Sequence, residues 1–302
     1  MGRFDGQVVV VTGAGGGIGR AHALLFASEG AQVVVNDYGG DSHGHAGTSE
    51  MAEEVVAEIT KAGGTAVADG HDVATNGAQV IATAVEAFGG VHVVVNNAGI
   101  AGGGTFDEIP IEDYERMVAI HLGGTVKVTR AAWPIMKAQG YGRVVNTSSA
   151  SVFGLPGTYP YITAKAALFG LTRAQSHDGK PNDIKVNAIM PSAYSRLTAQ
   201  SEDFAKVMLA GFPAERVSPF VAALCSREVP VTGETFVVGG GRAARVVLAT
   251  VPGMTDITDI DDVLARFDEA MDSEHLEVPP NAFVQVLYEC AQIGLDLTSL
   301  EG

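Results

Sequence analysis

Short apolar runs alternate with longer amphipathic segments between residues 8 and 238. The apolar runs are strand-length and rich in valine, and several are apolar at consecutive positions, as is typical of parallel strands covered on both faces. They lie at 8–11, 33–36, 65–68, 91–95, 144–147, 185–189 and 235–238. Helix-length segments between them include 17–28, 49–61, 78–88 and 111–137. This alternation predicts an α/β domain: a doubly wound Rossmann-type parallel sheet of about seven strands with helices on both faces.

The last part of the chain, 251–302, has a different pattern. Two apolar stripes at helical spacing, in 260–271 and 283–293, predict two amphipathic helices. The segment holds twelve acidic residues and one basic residue, Arg266. We therefore predict two domains, a Rossmann domain at 1–250 and an acidic helical C-terminal extension at 251–302. The extension would dock on the main domain or on a partner subunit.

Composition excludes several classes of protein. The chain has 302 residues, of which 46% are hydrophobic and 18% charged, as in a globular protein. Its net charge of −16 disfavours nucleic acid and anionic membranes as partners. The two cysteines are too few for a disulfide framework and lack metal-ligand spacing, so we predict no metal site. Without a segment long enough to cross a bilayer or a signal-peptide pattern, we expect a cytoplasmic protein.

A glycine-rich loop links the first predicted strand to the first predicted helix. Gly13, Gly17 and Gly19, with Ile18, would let the backbone approach a pyrophosphate at the positive end of the helix. Asp37 ends the second strand, where it can accept hydrogen bonds from an adenosine ribose and would repel a 2′-phosphate. This context favours a site for NAD over NADP, and over a glycine-rich turn without a ligand.

Further candidate residues follow other strands at the same edge of the sheet. Asp72 and Val73 come just after the third strand, where an adenine would lie, and Asn97 comes just after the fourth. Because the carboxyl ends of parallel strands form the binding edge of a doubly wound sheet, we expect these residues to line the dinucleotide site.

Candidate reacting groups lie farther along the chain. Tyr161 and Lys165 stand four residues apart in a helical pattern and so share a face. A phenol has a pKa of about 10, and a nearby ammonium can stabilise its phenolate for acid–base work. Ser148 and Ser149 close the fifth strand, where a hydroxyl can polarise a carbonyl or simply cap the strand end.

In this order, the glycine loop, the Asn96-Asn97-Ala98-Gly99 motif, the serine pair and Tyr161-xxx-Lys165 resemble the short-chain dehydrogenase/reductase family. The resemblance covers residues 5 to about 245. It implies that Tyr161 is the general acid/base and that Lys165 modulates its pKa and anchors the cofactor ribose. It also implies that Ser149 polarises the carbonyl, with Ser148 as the alternative, and that the protein is a homodimer or homotetramer.

Longer runs resemble one branch of that family, the (3R)-hydroxyacyl-CoA dehydrogenase domains of type two multifunctional enzymes (17β-hydroxysteroid dehydrogenase type 4-like). These runs are 35–41, 121–122, 129–133, 147–151 and 195–198. The acidic tail is also similar to an extension of those domains. The resemblance implies an NAD-dependent oxidoreductase acting on a (3R)-hydroxyacyl-CoA. The alternatives are a steroid or other secondary-alcohol dehydrogenase without CoA, and a catalytically inactive NAD-binding regulator.

Some positions depart from the usual pattern of the family or leave two interpretations open. His121 stands where the family often has asparagine, and it would either relay protons or serve a structural role. The region 196–213, with an apolar stripe at helical spacing, is a candidate substrate lid or an ordinary packed helix. Arg196, Arg242 and Arg245 could meet the phosphates of coenzyme A, or could be solvated surface charges.

Overall fold

The valine-rich runs form strands of one eight-stranded sheet. The computed structural model describes residues 2–40, 47–194 and 202–295, without the side chains of 202–205 and 207. The strands are β1 Val8–Thr12, β2 Gln32–Asn36, β3 Thr65–Asp69, β4 Val93–Asn96, β5 Gly142–Thr147, β6 Ile184–Ser192, β7 Thr235–Gly239 and β8 Arg242–Val246. The seven predicted strands are all present, and their predicted ends differ from the observed ones by at most three residues.

The strand order is β3-β2-β1-β4-β5-β6-β7-β8. Strands β1 to β7 pair in parallel. The chain leaves β1 toward β2 on one side and returns to β4 on the other, so the order reverses beside β1. At such a switch point the loops after neighbouring strands diverge and leave a crevice for a ligand.

Strand β8 was not predicted. It follows β7 after Gly240 and Gly241, whose positive φ angles of 58° and 83° suit a tight turn. Its sequence, Arg-Ala-Ala-Arg-Val, lacks the run of β-branched residues that marks the buried strands, and its residues are half-buried or exposed. An edge strand of this kind carries little hydrophobic signal.

Helices cover both faces of the sheet, as predicted. They are α1 Gly17–Ser28, α2 Glu50–Lys61, α3 Val73–Phe88, α4 Ile111–Val118, α5 Thr125–Gln139, α6 Tyr159–Gly179, α7 Glu202–Gly211 and α8 Ser218–Cys225. Alternate residues of β1 supply two separate apolar cores, with Val9 and Val11 on the side of α1, α2 and α8. Val8 and Val10 face the other core, with α3, α5 and α6. The two-residue period of a strand explains this division.

The predicted helix 111–137 is not continuous. A π-helix, Ala119–Gly124, separates α4 from α5. A π-helical turn inside an α-helix is rare and is frequent at functional sites. This π-helix contains His121, whose side chain lines the site described below.

The chain divides into two units, Met1–Arg245 and Val246–Gly302. The second contains α9 Ile260–Ala265, α10 Phe267–Met271 and α11 Ala282–Gln292. The predicted helix 260–271 is interrupted at Arg266, whose backbone is not helical (φ −114°, ψ 14°). Thr250 and Glu277 exchange two backbone hydrogen bonds within this unit, of 2.9 and 2.8 Å. The boundary at residue 250 between an enzymatic domain and an extension stays a prediction.

None of the helices in the described ranges is both long and apolar enough to span a bilayer. Cys225 and Cys290 are free thiols. Among the residues that the structure describes, no group of histidine, cysteine and acidic side chains has the arrangement of a metal site.

Candidate active site

A cleft at the carboxyl ends of the strands contains nearly all of the predicted site residues. Those lining it are Gly13, Gly17, Ile18, Asp37, Asp72, Val73, Asn97, Ser149, Tyr161 and Lys165. The exception is Gly19, which does not line the cleft. His71 and His121 also line it. Sequence patterns assign no role to His71, and they leave both a proton relay and a structural role open for His121.

The glycine loop leads into α1 and is packed so tightly that two of its glycines have no room for a side chain. A Cβ on Gly13, whose φ is +64°, would lie 2.8 Å from the Cα of Ala98. A Cβ on Gly19 would lie 2.1 Å from the carbonyl oxygen of Gly13, so Gly19 acts through close packing behind the loop. The Asn97 amide donates to the carbonyls of Thr12 and Gly13, each at 3.0 Å. Asn97 was expected to bind cofactor, and its side chain holds the loop backbone in place.

The acidic residue after β2 is held at the cleft by the loop itself. The Asp37 carboxylate accepts hydrogen bonds from the backbone N–H groups of Gly15 and Gly39, both at 2.8 Å. Among the described residues that line the cleft, Lys165 is the one lysine, and none is an arginine. Within the described part of the chain, the end of the cleft near Asp37 therefore carries negative charge without a lysine or arginine to offset it.

Asp72 begins α3. Its carboxylate accepts from the backbone N–H of Ala74 at 2.8 Å and from the hydroxyl of Thr75 at 3.2 Å. This is an N-cap interaction, which stabilises the first turn of a helix. Asp72 and Val73 thus reach the cleft as predicted, with the side chain of Asp72 already engaged by its own helix.

These features fit a nicotinamide dinucleotide. The loop leaves no room for side chains at Gly13 and Gly19, and it presents the N-terminus of α1 to the cleft, which is the geometry that a pyrophosphate requires. Asp37 stands where a ribose would be bound. The residues that would hold the dinucleotide are therefore the glycine loop, Asp37, and the ends of β3 to β5.

The predicted reacting pair lies on α6. Lys165 is only 4% exposed, and its ammonium donates to the carbonyl of Thr147 at the end of β5. Its Nζ lies 5.7 Å from the centre of the Tyr161 ring. Burial lowers the pKa of Lys165 from 10.5 to about 7, because the charged form is poorly solvated there.

From the spacing we expect the lysine to lower the pKa of Tyr161, whereas in this structure the pKa of that phenol is raised. Burial is the main cause, and a hydrogen bond with Ser149 opposes it. The Lys165 ammonium is directed to the carbonyl of Thr147 instead of to the phenol oxygen. Tyr161 is therefore a phenol at neutral pH in this state of the site.

The two serines have different partners. Ser148 is 1% exposed, and its hydroxyl donates to the backbone carbonyl of Lys165 at 2.8 Å. Ser149 accepts from the backbone N–H and the hydroxyl of Ser151, at 3.2 and 2.9 Å, and its side chain is the group that opposes the rise in the pKa of Tyr161. The structure thus brings Ser149 to the tyrosine, while Ser148 ties β5 to α6.

His121 packs edge-on against the ring of Tyr161, with ring centres 5.2 Å apart and an angle of 90° between the planes. Its Nε2 lies 3.1 Å from the backbone nitrogen and 3.0 Å from the carbonyl oxygen of Ile100. Burial, aided by the charge of Lys165, lowers the pKa of His121 well below its ordinary value. The neutral ring supports Tyr161 and fills the space that Gly99 leaves, since a Cβ there would lie 2.4 Å from the imidazole Cε1.

The predicted lid falls partly outside the described residues. The described residues do not include Arg196 or the side chain of Phe204. Met208 on α7 is buried, and Phe212 is half-buried. Arg245 pairs with Glu234 at 2.7 and 2.8 Å, and neither it nor Arg242 lines the cleft. The structure does not bring these two arginines to the site.

The different partners of the two serines predict different effects on folding. Ser148→Ala removes a buried hydrogen bond between β5 and α6 and should lower the free energy of unfolding by about 1 kcal/mol. Ser149→Ala, at a half-buried position with its bonds inside the loop, should lower it by less. Urea unfolding of the two variants measures the difference. Equal losses, or a larger loss for Ser149→Ala, would contradict these assignments.

Comparisons with known proteins agree with the geometry. Residues 7–206 match the short chain dehydrogenase family. A Mycobacterium tuberculosis protein named as a short-chain type dehydrogenase/reductase is 44% identical over 271 residues, which are 88% of this chain and 94% of that protein. The mouse peroxisomal multifunctional enzyme type 2 is 46% identical over 242 residues, 79% of this chain. The chain spans only 32% of that longer enzyme.

Solved structures give the same result. A short chain dehydrogenase from Mycobacterium avium superimposes with a TM-score of 0.78 at 39% identity, covering 89% of this chain and 96% of that one. The resemblances to the family and to its multifunctional branch are thereby confirmed. The chain belongs to the short-chain dehydrogenase/reductase family, a family of oxidoreductases that typically use NAD(P).

Proposed function

We propose that this protein is an NAD-dependent dehydrogenase that oxidises a secondary alcohol to a ketone, with a (3R)-hydroxyacyl-CoA as its substrate. The observation that carries the reaction type is that Ser149, Tyr161 and the buried Lys165 line one cleft, with the Lys165 ammonium 5.7 Å from the centre of the Tyr161 ring. The substrate is supported by the 46% identity with a peroxisomal multifunctional enzyme type 2.

The residues of the site divide the work of the oxidation. Bound NAD⁺ supplies the acceptor for the hydride that leaves the carbinol carbon. The Tyr161 phenol first gives up its own proton, which Lys165 can accept in its neutral form, and the resulting phenolate takes the proton of the substrate hydroxyl as general base. The Ser149 hydroxyl donates a hydrogen bond to the same substrate oxygen as it becomes a carbonyl. Lys165, with a pKa of about 7, supplies positive charge near the phenol and exchanges protons near neutral pH.

Asp37 supports NAD as the cofactor in preference to NADP. Its carboxylate is fixed by Gly15 and Gly39 at the end of β2. A 2′-phosphate placed there would meet a negative charge, and no arginine of the described residues lines the cleft to offset it.

One observation favours a second candidate, a steroid or other secondary-alcohol dehydrogenase without CoA. The described cleft residues include no cationic side chain besides Lys165 to bind the phosphates of coenzyme A. A catalytically inactive NAD-binding regulator is disfavoured, because a binding module has no use for a serine, a tyrosine and a buried lysine that line one cleft.

We also propose that the protein works in the cytoplasm as a homodimer or homotetramer. The exposed apolar side chains of the second unit support an assembly: Ile260 is 78% exposed and Phe283 is 70% exposed. Large apolar side chains on a free surface are typical of interfaces.

A substrate panel tests the proposal. NADH formation would be followed with (3R)- and (3S)-hydroxyacyl-CoA thioesters, the matching free hydroxy acids, and steroid and cyclic secondary alcohols, each with NAD and with NADP. We expect the highest kcat/KM for a (3R)-thioester with NAD, and at least about a hundredfold lower value with NADP. Turnover of simple alcohols but not thioesters would support the second candidate, and equal use of NADP would contradict the role of Asp37.

A tyrosine variant tests the role of the phenol. Tyr161→Phe should lower kcat/KM by about 10²–10⁴-fold or more, because the general base is lost, while the Kd for NAD stays near that of the wild type. Tyr159→Phe is the matched control, since Tyr159 lies on the same helix and packs against Phe106 and Tyr114. Unchanged turnover in Tyr161→Phe would exclude the proposed role.

A further inference from the structure

A methionine side chain packs against the glycine loop. Met51 is the second residue of α2 and is half-buried. A Cβ on Gly15 would lie 2.7 Å from the Cβ of Met51, and a Cβ on Gly16 would lie 3.4 Å from its Cε. The side chain therefore runs along the loop from Gly15 to Gly16. Gly16 lines the cleft and Met51 does not, so Met51 contacts the loop from outside the cleft.

The loop has little room to move at this contact. Gly15 lies between Met51 and Asp37, since its N–H donates to the Asp37 carboxylate at 2.8 Å and an added Cβ would lie 2.8 Å from the same oxygen. Gly16 follows as the N-cap of α1, with an extended backbone and no side chain to cap the helix. The first N–H groups of a helix have no partners within it, and they are the donors that a pyrophosphate would use. A change in size or polarity at Met51 therefore acts on the backbone that would hold the cofactor.

Met51 is also the accessible methionine of the described part of the first unit. The other described methionines of that unit are at most 6% exposed: Met117, Met136, Met190 and Met208. In the second unit, Met254 is half-buried and Met271 is 68% exposed. Because a dissolved oxidant reaches accessible side chains first, within the described part of the first unit we expect it to act on Met51.

Oxidation changes the chemical character of a methionine. The sulfur attacks one oxygen of hydrogen peroxide, so a sulfur–oxygen bond forms and the oxygen–oxygen bond breaks. The hydroxide that leaves takes the proton of the transferred oxygen and becomes water. The sulfur loses two electrons, which reduce the peroxide. The sulfoxide is polar and its oxygen accepts hydrogen bonds, whereas the thioether is apolar and a weak acceptor.

We infer that Met51 is an oxidation site through which a peroxide lowers the affinity of the protein for NAD. The inference rests on the proposed function, in which the cleft binds NAD. The new oxygen is added to Sδ, one bond from the Cε that faces Gly16. There it competes for the free N–H groups at the start of α1, or it displaces Gly16 because the packed loop has no space for it. Both effects weaken the pyrophosphate site, and enzymatic reduction of the sulfoxide reverses them.

The experiment measures the Kd for NAD by calorimetry before and after treatment with hydrogen peroxide, and peptide mass spectrometry gives the conversion of each methionine. In the wild type, conversion of Met51 should raise the Kd about fivefold, the effect of one hydrogen bond, and methionine sulfoxide reductases should restore it. In Met51→Leu, which keeps an apolar side chain of similar volume, the treatment should not change the Kd. Met271→Leu is the matched control and should respond as the wild type does, since Met271 lies in the second unit.

The outcomes separate the inference from the proposed function. If the Kd stays constant when Met51 is converted, or rises equally in Met51→Leu, the inference is wrong even though the cleft binds NAD. It is also wrong if Met51 stays reduced while Met271 is converted. A rise in the Kd that persists after Met51 has been reduced again would contradict it in the wild type alone, so the test does not depend on the folding of a variant. If the untreated wild type does not bind NAD, the proposed function itself fails, and the inference with it.

Discussion

An ammonium group withdrawn from water lies next to the proposed reacting tyrosine, and the geometry of the site depends on how it is held. Lys165 donates to the carbonyl of Thr147, the last residue of β5, while Ser148 donates back to the carbonyl of Lys165. These two bonds join the end of a strand to the middle of a helix. A buried cation with few partners is costly, so its pKa falls toward neutrality. Tyr161 stands one helical turn earlier on the same face.

Charge is distributed unevenly along the cleft. Asp37, Asp69 and Asp72 lie at the ends of β2 and β3, and Lys165 lies at the end of β5. Each carboxylate is engaged by backbone or side-chain donors, which fixes its position. A dinucleotide with its adenosine at the acidic end would place the nicotinamide near Tyr161. In the proposed reaction the same sheet edge would orient the cofactor and position the groups that transfer the proton.

Much of this arrangement could be predicted from the sequence because local signals define it. Consecutive valines identify buried parallel strands, and a glycine loop, an aspartate and a serine pair mark their carboxyl ends. The choice between Ser148 and Ser149 could not be made, because it depends on the 3₁₀ turn Ala150–Phe153 that follows. The raised pKa of Tyr161 also escaped prediction, since spacing along a helix does not show which group the lysine contacts.

Other features depend on distant parts of the chain. His71 is an ordinary loop residue in the sequence, and its ring contacts the buried Asp69, on which Asn36 and Thr83 also converge. The π-helix around His121 gives no periodic signal, yet it brings the imidazole against Tyr161. Strand β8 is too polar to be predicted from the hydrophobic pattern. Tertiary contacts determine each of these features, and local propensity does not.

The most direct test of the account is the pKa of Lys165 itself. Protein labelled with ¹³C at the lysine ε-carbon can be titrated by NMR, with the signal assigned from its loss in Lys165→Met. The account predicts a midpoint near 7, against the ordinary value of 10.5, because the ammonium is buried against Thr147. A midpoint near 10.5 would show a solvated lysine and would contradict the arrangement on which the proposed proton transfer depends.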